Sequence, residues 1–310
     1  MSPLQKLLAR AFLRIAAASP QSVKKAFARA CSWIMWRSNS KARMVTECNL
    51  AISFPGMPED ERLRLARRCL YQFTLSLFEV GRTWLWPFER LESRVVRVVG
   101  LELLQELAAS GAGTVLLVPH LGNWELALLL LSKDYSITTL YKQPKSAEAD
   151  DFIRNFRQRR GTRLVPGTPS GLRSLLKALR SGQVVAVLPD QVPSRSSGMF
   201  APFFGKKTLT MTLVANLLQR TKAKAICCYS KLLANGDYEL VLKAVDDRIY
   251  DANLETSLTG LNASVENCVV DCIEQYQWQY KRYKYLPNME PRNYRDLHSR
   301  LYVDLSPREI

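Results

Sequence analysis

The sequence holds only two histidines among 310 residues, His120 and His298, too few for a multi-histidine metal site. Its seven cysteines are an odd number without any C-x-x-C spacing. Cys227 and Cys228 are adjacent, and Cys268 and Cys272 lie one helical turn apart in an apolar stripe, so they read as reduced core residues of a cytosolic-side protein. Long apolar runs are missing too. Arg10, Arg14 and Lys24 interrupt the only N-terminal candidate well short of the roughly 18 residues that a spanning helix needs. The same charges break up any secretory h-region; an Arg-rich, acid-poor start leaves an organellar transit peptide as a minor alternative. Acidic residues are absent from Met1 to Thr46, a stretch with nine basic ones: Lys6, Arg10, Arg14, Lys24, Lys25, Arg29, Arg37, Lys41 and Arg43.

What is present describes a folded protein with an anionic partner. Apolar residues make up 47% and charged residues 23% of the chain, which excludes disordered and collagen-like classes. The formal net charge is +16, and more than half of it sits in the first 46 residues. There Leu4, Leu7, Leu8, Ala11, Ile15 and Ala18 recur at helical spacing, with Lys6, Arg10 and Arg14 on another face. A second helix from about Gln21 sets Phe27, Trp33, Ile34 and Trp36 among Lys24, Lys25 and Arg29. Aromatic residues beside cations suit a membrane interface, and the competing reading is that both helices cap the main domain. The expected division is therefore 1–46, basic and membrane-associating, and 47–310, the main domain.

After the turn at Pro55 to Pro58, the acids Glu59, Asp60 and Glu61 open a long helix to about Trp86, with Leu63, Ala66, Leu70, Phe73, Leu77 and Val80 on its expected buried stripe. From Gly113 short apolar runs alternate with helical periods. Val115 to Val118, Ile137 to Tyr141, Leu164 with Val165, and Val184 to Leu188 read as buried strands, and a helix carries Leu172, Leu175, Leu176 and Leu179. Two further strands are expected at Ala225 to Tyr229 and Tyr238 to Val245, then a last helix with Val265, Cys268, Val269, Cys272, Ile273 and Tyr276. This is the pattern of an α/β fold with a mostly parallel central sheet flanked by helices.

His120 follows the strand Val115 to Val118 and leads through Gly122 and Asn123 into the helical run Trp124 to Leu131. Ligands of open α/β sheets lie at the carboxyl ends of strands, where this places it. Inside one helix, five residues at about 100° each would set His120 and Glu125 about 140° apart; a strand-to-helix turn removes that obstacle. Gly122 permits the turn, Asn123 is a good N-cap, and Glu125 falls in the first helical turn, where the dipole favours its anion. An imidazole oriented by a carboxylate can take the proton of a hydroxyl as it attacks an activated acyl group. Phe152 and Phe156 share one face of a helix near Asp150, and Arg154 and Arg157 another, so the two guanidiniums either hold a phosphate or form a solvated face. The strand Val184 to Leu188 likewise ends in Pro189, Asp190 and Gln191.

His120-Leu121-Gly122-Asn123-Trp124-Glu125 closely resembles the H-x-x-x-x-[DE] motif of the bacterial lipid A late acyltransferases, within the lysophospholipid acyltransferase superfamily. Further blocks follow in family order: Asn49 to Pro55, Arg157-x-Arg159-x-Gly161, Leu188 to Gln191, Pro202 to Gly205, and Gln275 to Arg282. The resemblance covers roughly Asn49 to Lys284. Departures are Leu121, Val192 and Ser194, which bear on the acyl chain and the acceptor, and an N-terminal arm less apolar than many anchor helices. The resemblance implies His120 as base and Glu125 as its partner, with Asn123, Arg154, Arg157, Arg159, Asp190 and Gln191 as substrate contacts. It implies acyl transfer from acyl carrier protein to a hydroxyl of a lipid A precursor on the cytoplasmic face of the inner membrane, without metal or bound cofactor.

Two segments remain. Ser194 to Gly198 has the composition of a mobile loop. Tyr276 to Tyr285 interleaves aromatics with cations; single-stranded nucleic acid can use such a pattern, but an amphipathic C-terminal helix is the expectation, and nucleic acid is not an expected partner. His298 has no acidic or strand-end context in the sequence and receives no role.

Overall fold

The computed structural model describes residues 3–144, 146–287 and 291–301; the side chains of 3–7, 9, 148 and 149 also lie outside the described residues. The expected places of Leu4, Lys6 and Leu7 on the first amphipathic helix are therefore outside it. The chain forms two compact units, one of Met1–Gln21, Leu77–Leu188 and Val214–Val245, the other of Ser22–Ser76, Pro189–Leu213 and Asp246–Ile310.

Among the described residues nine strands form: β1 (Val95–Val99), β2 (Thr114–Leu117), β3 (Ile137–Tyr141), β4 (Arg163–Pro166), β5 (Val184–Val187), β6 (Gly198–Phe203), β7 (Lys206–Met211), β8 (Lys224–Leu232) and β9 (Tyr238–Ala244). In the first unit seven of them make one sheet in the order β1-β9-β8-β2-β5-β3-β4, and every neighbouring pair is parallel except β8 with β9. The α/β architecture with a mostly parallel sheet is as expected. All four residues of β2 and of β5 are buried. Leu116, Val118, Ala186, Ile226 and Leu240 pack with Ala127, Leu128 and Leu131 of the Trp124–Leu131 helix into one apolar cluster. Strand β1 was not expected from the sequence; it lies at the sheet edge with Val96 and Val98 exposed.

The first helix, Pro3–Ala18, is held in this unit by its inner face. A Cβ on Gly81 would stand 2.8 Å from the Ala16 Cβ, and the Trp86 indole donates to the Ala17 carbonyl at 3.0 Å. Its outer face leaves Leu8 and Ile15 exposed. Among the described residues no helix is long and apolar enough to cross a membrane.

The long helix runs from Glu59 to Leu85, opened by its three acids as expected. Its buried face departs from the expected stripe. Leu77 is exposed, while Thr74, Glu79, Arg82 and Thr83 are buried beside Leu70, Leu75 and Phe78. Apolar periodicity cannot register polar side chains that enter a core because they satisfy one another.

In the second unit β6 and β7 pair as an antiparallel hairpin, also unanticipated. The helix Leu254–Val269 continues as a 3-10 turn to Gln275. Residues 276–285 form successive turns where a helix was expected. Their aromatics face inward: Trp278 and Tyr283 are fully buried, and Asn49 donates to the carbonyls of Trp278 and Tyr280 at 2.7 Å each. Arg282 is buried too, donating to the Leu209 carbonyl, Thr210 and Asn262. Inward packing of bulky rings holds the chain in turns that a surface helix would forbid.

Candidate active site

Strand β2 sits centrally, with β5 on one side and β8 on the other, and His120 stands just past its carboxyl end. The turn that follows is built rather than merely permitted. Gly122 adopts a left-handed φ of 58°, which a β-carbon would disfavour. The Asn123 backbone N–H then donates to the Ser230 carbonyl of β8 at 2.8 Å, tying the turn to the sheet. Asn123 caps the next helix as expected, its Oδ1 accepting from the Leu126 N–H at 3.2 Å.

The other end of the Asn123 amide enters a network that sequence reasoning did not find. Nδ2 donates to Thr83 Oγ1 at 2.7 Å and more weakly to the Tyr238 hydroxyl at 3.5 Å. Tyr238 donates in turn to the Glu79 carboxylate, with Arg82 3.5 Å from Glu79. Burial, and then the negative charge of Glu79, hold the Tyr238 phenol well above its usual range, so it stays a donor. Both ends of the expected substrate contact Asn123 are thus engaged within the protein. The only sequence signal was a polar set, Glu79, Arg82 and Thr83, at helical spacing in an otherwise apolar stretch.

Glu125 points inward, 5% exposed. Arg157 grips it with a fork: Nε lies 3.1 and 3.2 Å from the two carboxylate oxygens, and a terminal nitrogen lies 2.5 Å from Oε1. The guanidinium also lies 5.1 Å from the Trp124 ring centre, and the His120 imidazole 5.5 Å from the same ring. Burial pushes the Glu125 carboxyl upward, and the charge and hydrogen bonds of Arg157, followed by the charge of His120, pull against it. The site thus sets an imidazole at a strand end five residues before a buried carboxyl group that a bidentate arginine holds.

Arg154 and Arg159 also have partners within the protein. Arg154 pairs with Asp150 at 3.0 Å, one turn back on the Ala147–Gln158 helix, and Gln143 donates to the same oxygen. Arg159 donates to the carbonyls of Thr83 and Trp86 at 2.9 Å each, capping the end of the long helix. The cations expected to share one phosphate therefore bind three different partners within the protein. Asp190 and Gln191 follow β5 in the chain but belong to the second unit. There Asp190 is buried, and after burial its charge is the largest influence raising the Tyr276 phenol. The Ser194 to Gly198 segment forms a 3-10 turn, with Arg195 4.9 Å from the Tyr285 ring centre. His298 meets buried Glu47 at 2.6 Å, which in turn holds Arg43, a contact 251 residues apart in sequence.

The strand-end histidine and the buried acid of the next helical turn sit on a mostly parallel sheet, an arrangement open to acid–base chemistry. The family described as Bacterial lipid A biosynthesis acyltransferase matches residues 4–285, and the chain belongs to that family. It is an acyltransferase of lipid A biosynthesis. Among curated proteins it is similar to the lipid A biosynthesis lauroyltransferase of Escherichia coli (strain K12), 25% identical over 248 residues that cover 79% of this chain and 80% of that one. The palmitoleoyltransferase of the same strain is 23% identical, covering 77% and 78%. A lipid A biosynthesis acyltransferase of Haemophilus influenzae is 27% identical, covering 77% and 76%. Two of these relatives are named for different acyl chains, so family membership leaves chain length open.

Proposed function

We propose that the protein transfers a fatty acyl chain from acyl carrier protein to a hydroxyl of a lipid A precursor, during lipopolysaccharide biosynthesis, at the cytoplasmic face of the inner membrane. The observation that carries this reading is the placement of His120 just past the carboxyl end of β2, with the Arg157-held Glu125 in the first turn of the helix that follows. The acceptor hydroxyl oxygen attacks the thioester carbonyl carbon while His120 takes the hydroxyl proton. The carbon–sulfur bond then breaks, and the departing thiolate recovers the proton from the imidazolium, leaving an ester and a free thiol. Glu125 orients the imidazole and stabilises its charged form. Arg157 keeps Glu125 ionised in a buried setting, and the Asn123–Thr83–Tyr238–Glu79 network holds the turn that aligns the pair.

The bilayer part of the reading rests on the N-terminal helices. Leu8 and Ile15 on the first, and Val23, Phe27, Trp33 and Ile34 on the second, are all more than half exposed, whereas Lys24 is fully buried. The Gln21–Arg37 helix thus turns Lys24 inward and Phe27 and Trp33 outward, a face suited to an apolar surround beside the exposed cations Arg29 and Arg37. The test is mass spectrometry of lipid A from a strain lacking the gene, paired with purified enzyme offered acyl carrier protein and coenzyme A thioesters. Loss of one acyl group from lipid A, and preference for the carrier-bound donor, are expected. Unchanged lipid A would overturn the acceptor assignment.

A further inference from the structure

The second unit carries a cleft of about 590 Å³ lined by Arg29, Ser32, Trp33, Trp36, Arg37, Arg67, Arg68 and Tyr71. Four of these side chains are cationic and three aromatic, and no carboxylate lines it. Among the described residues none of Arg29, Arg37, Arg67 and Arg68 forms a salt bridge, unlike Arg43, Arg154 and Arg157.

Two guanidiniums lie against the Trp36 ring, Arg43 at 4.0 Å and Arg67 at 4.5 Å from its centre. Arg43 is itself locked to buried Glu47 and to the Trp36 carbonyl at 2.5 Å. One flank of the cleft is apolar and open. Val23, Phe27 and Ile34 recur along the Gln21–Arg37 helix at intervals of four and seven, each more than half exposed, and Trp33, 65% exposed, joins that face to the lining.

We infer that this cleft binds the phosphate headgroup of an anionic phospholipid, with the Val23–Phe27–Ile34 face set among the acyl chains. Guanidiniums present forked donors that match phosphate oxygens. Trp and Tyr sit well where headgroup meets hydrocarbon. The volume falls in the range of small-ligand sites. An acidic protein would satisfy the charges but leave the exposed apolar face without a partner, so the lipid is the occupant that uses both. The residues are separate from His120, Glu125 and Arg157, and the site would dock the enzyme rather than react. This inference rests on the bilayer reading proposed above.

The test uses the full-length protein in flotation with vesicles of phosphatidylcholine alone, or with a minority of phosphatidylglycerol. It compares wild type with Arg67→Gln/Arg68→Gln and with Arg220→Gln/Lys222→Gln, which removes the same charge from exposed positions of the other unit. Each cation at an anionic surface is worth about fivefold in partition, so the cleft variant should bind phosphatidylglycerol vesicles about 20-fold more weakly and the control within about twofold of wild type. Quenching of tryptophan fluorescence by brominated phosphatidylglycerol should fall in the cleft variant, and inorganic phosphate alone should leave the fluorescence unchanged. Equal losses in the two double variants would overturn the inference, as would saturable binding of inorganic phosphate alone, which would mark a site for free anion. Loss of acyl carrier protein binding with vesicle binding intact would reassign the cleft to the carrier. If wild type binds neither vesicle, the bilayer reading itself fails; if wild type binds and the cleft variant binds equally, only the cleft assignment fails.

Discussion

Replacing Arg157 by methionine keeps much of the side-chain length and removes the fork on Glu125. Breaking one half of a buried ion pair costs about 3–5 kcal/mol when the other charge must stay. Arg157 is 22% exposed on its side chain, so the lower end, about 3 kcal/mol, applies. Glu125 can escape that cost by protonating. Losing the fork should therefore push its pKa further above the usual carboxylate range, where burial already holds it. The sign follows from that direction. A carboxyl whose native pKa lies above its unfolded value contributes stability that is fully present below the unfolded pKa and is lost as pH rises through the native pKa. Arg157→Met deepens that loss, so its melting temperature should approach wild type near pH 5 and fall behind by several degrees near pH 8. In the same variant the acid limb of kcat/KM should move toward alkaline pH, as the dyad needs an ionised Glu125. Thermal melts at the two pH values and a pH–rate profile with saturating acyl donor measure both. Equal destabilisation at both pH values together with an unmoved acid limb would refute the argument. A raised KM for the acceptor with an unmoved limb would instead return Arg157 to the phosphate-binding role its residue type suggests.

Further outcomes follow from the same geometry. His120→Ala should abolish transfer, by about 10²–10⁴ or more, in a protein with an unchanged melting temperature; wild-type turnover in the purified variant would end the general-base assignment. Tyr238→Phe strips the donor from buried Glu79 and should cost about 1–3 kcal/mol in denaturant unfolding. It should also lower kcat through the Asn123 turn, and an unperturbed kcat would show that the network serves stability alone. Leu8→Gln/Ile15→Gln/Phe27→Gln should weaken vesicle binding more than tenfold by removing apolar area worth about 1.5–3 kcal/mol per fully inserted side chain. Its melting temperature should stay put because all three positions are already solvent-exposed; unchanged flotation would make the helices purely structural.

The alternation of short apolar runs with helical periods determined the parallel sheet, because strands covered on both faces need no polar alternation and so stand out as continuous Val, Leu and Ile segments. The turn at His120 was legible for a related reason. A glycine, an N-cap and an acid in the first helical turn each answer a local backbone requirement, and local requirements are written in adjacent residues. The edge strand β1 and the β6–β7 hairpin were not legible: Val95–Val99 exposes two valines, and Gly198–Phe203 acquires its pairing only from Lys206–Met211. The turns of 276–285 escaped as well, since Trp278 and Tyr283 could equally have lined a helix until a core existed to receive them. Only the tertiary structure decided the partners of the charges. Arg154, Arg157 and Arg159 are near-identical cations in sequence, yet one meets a neighbouring aspartate, one a carboxylate 32 residues away, and one the carbonyls at the end of a helix. His298, without context in the chain, finds Glu47 across 251 residues. A charge takes its role from whichever opposite group the fold leaves within about 3 Å in a dry setting, and no sequence separation encodes that distance.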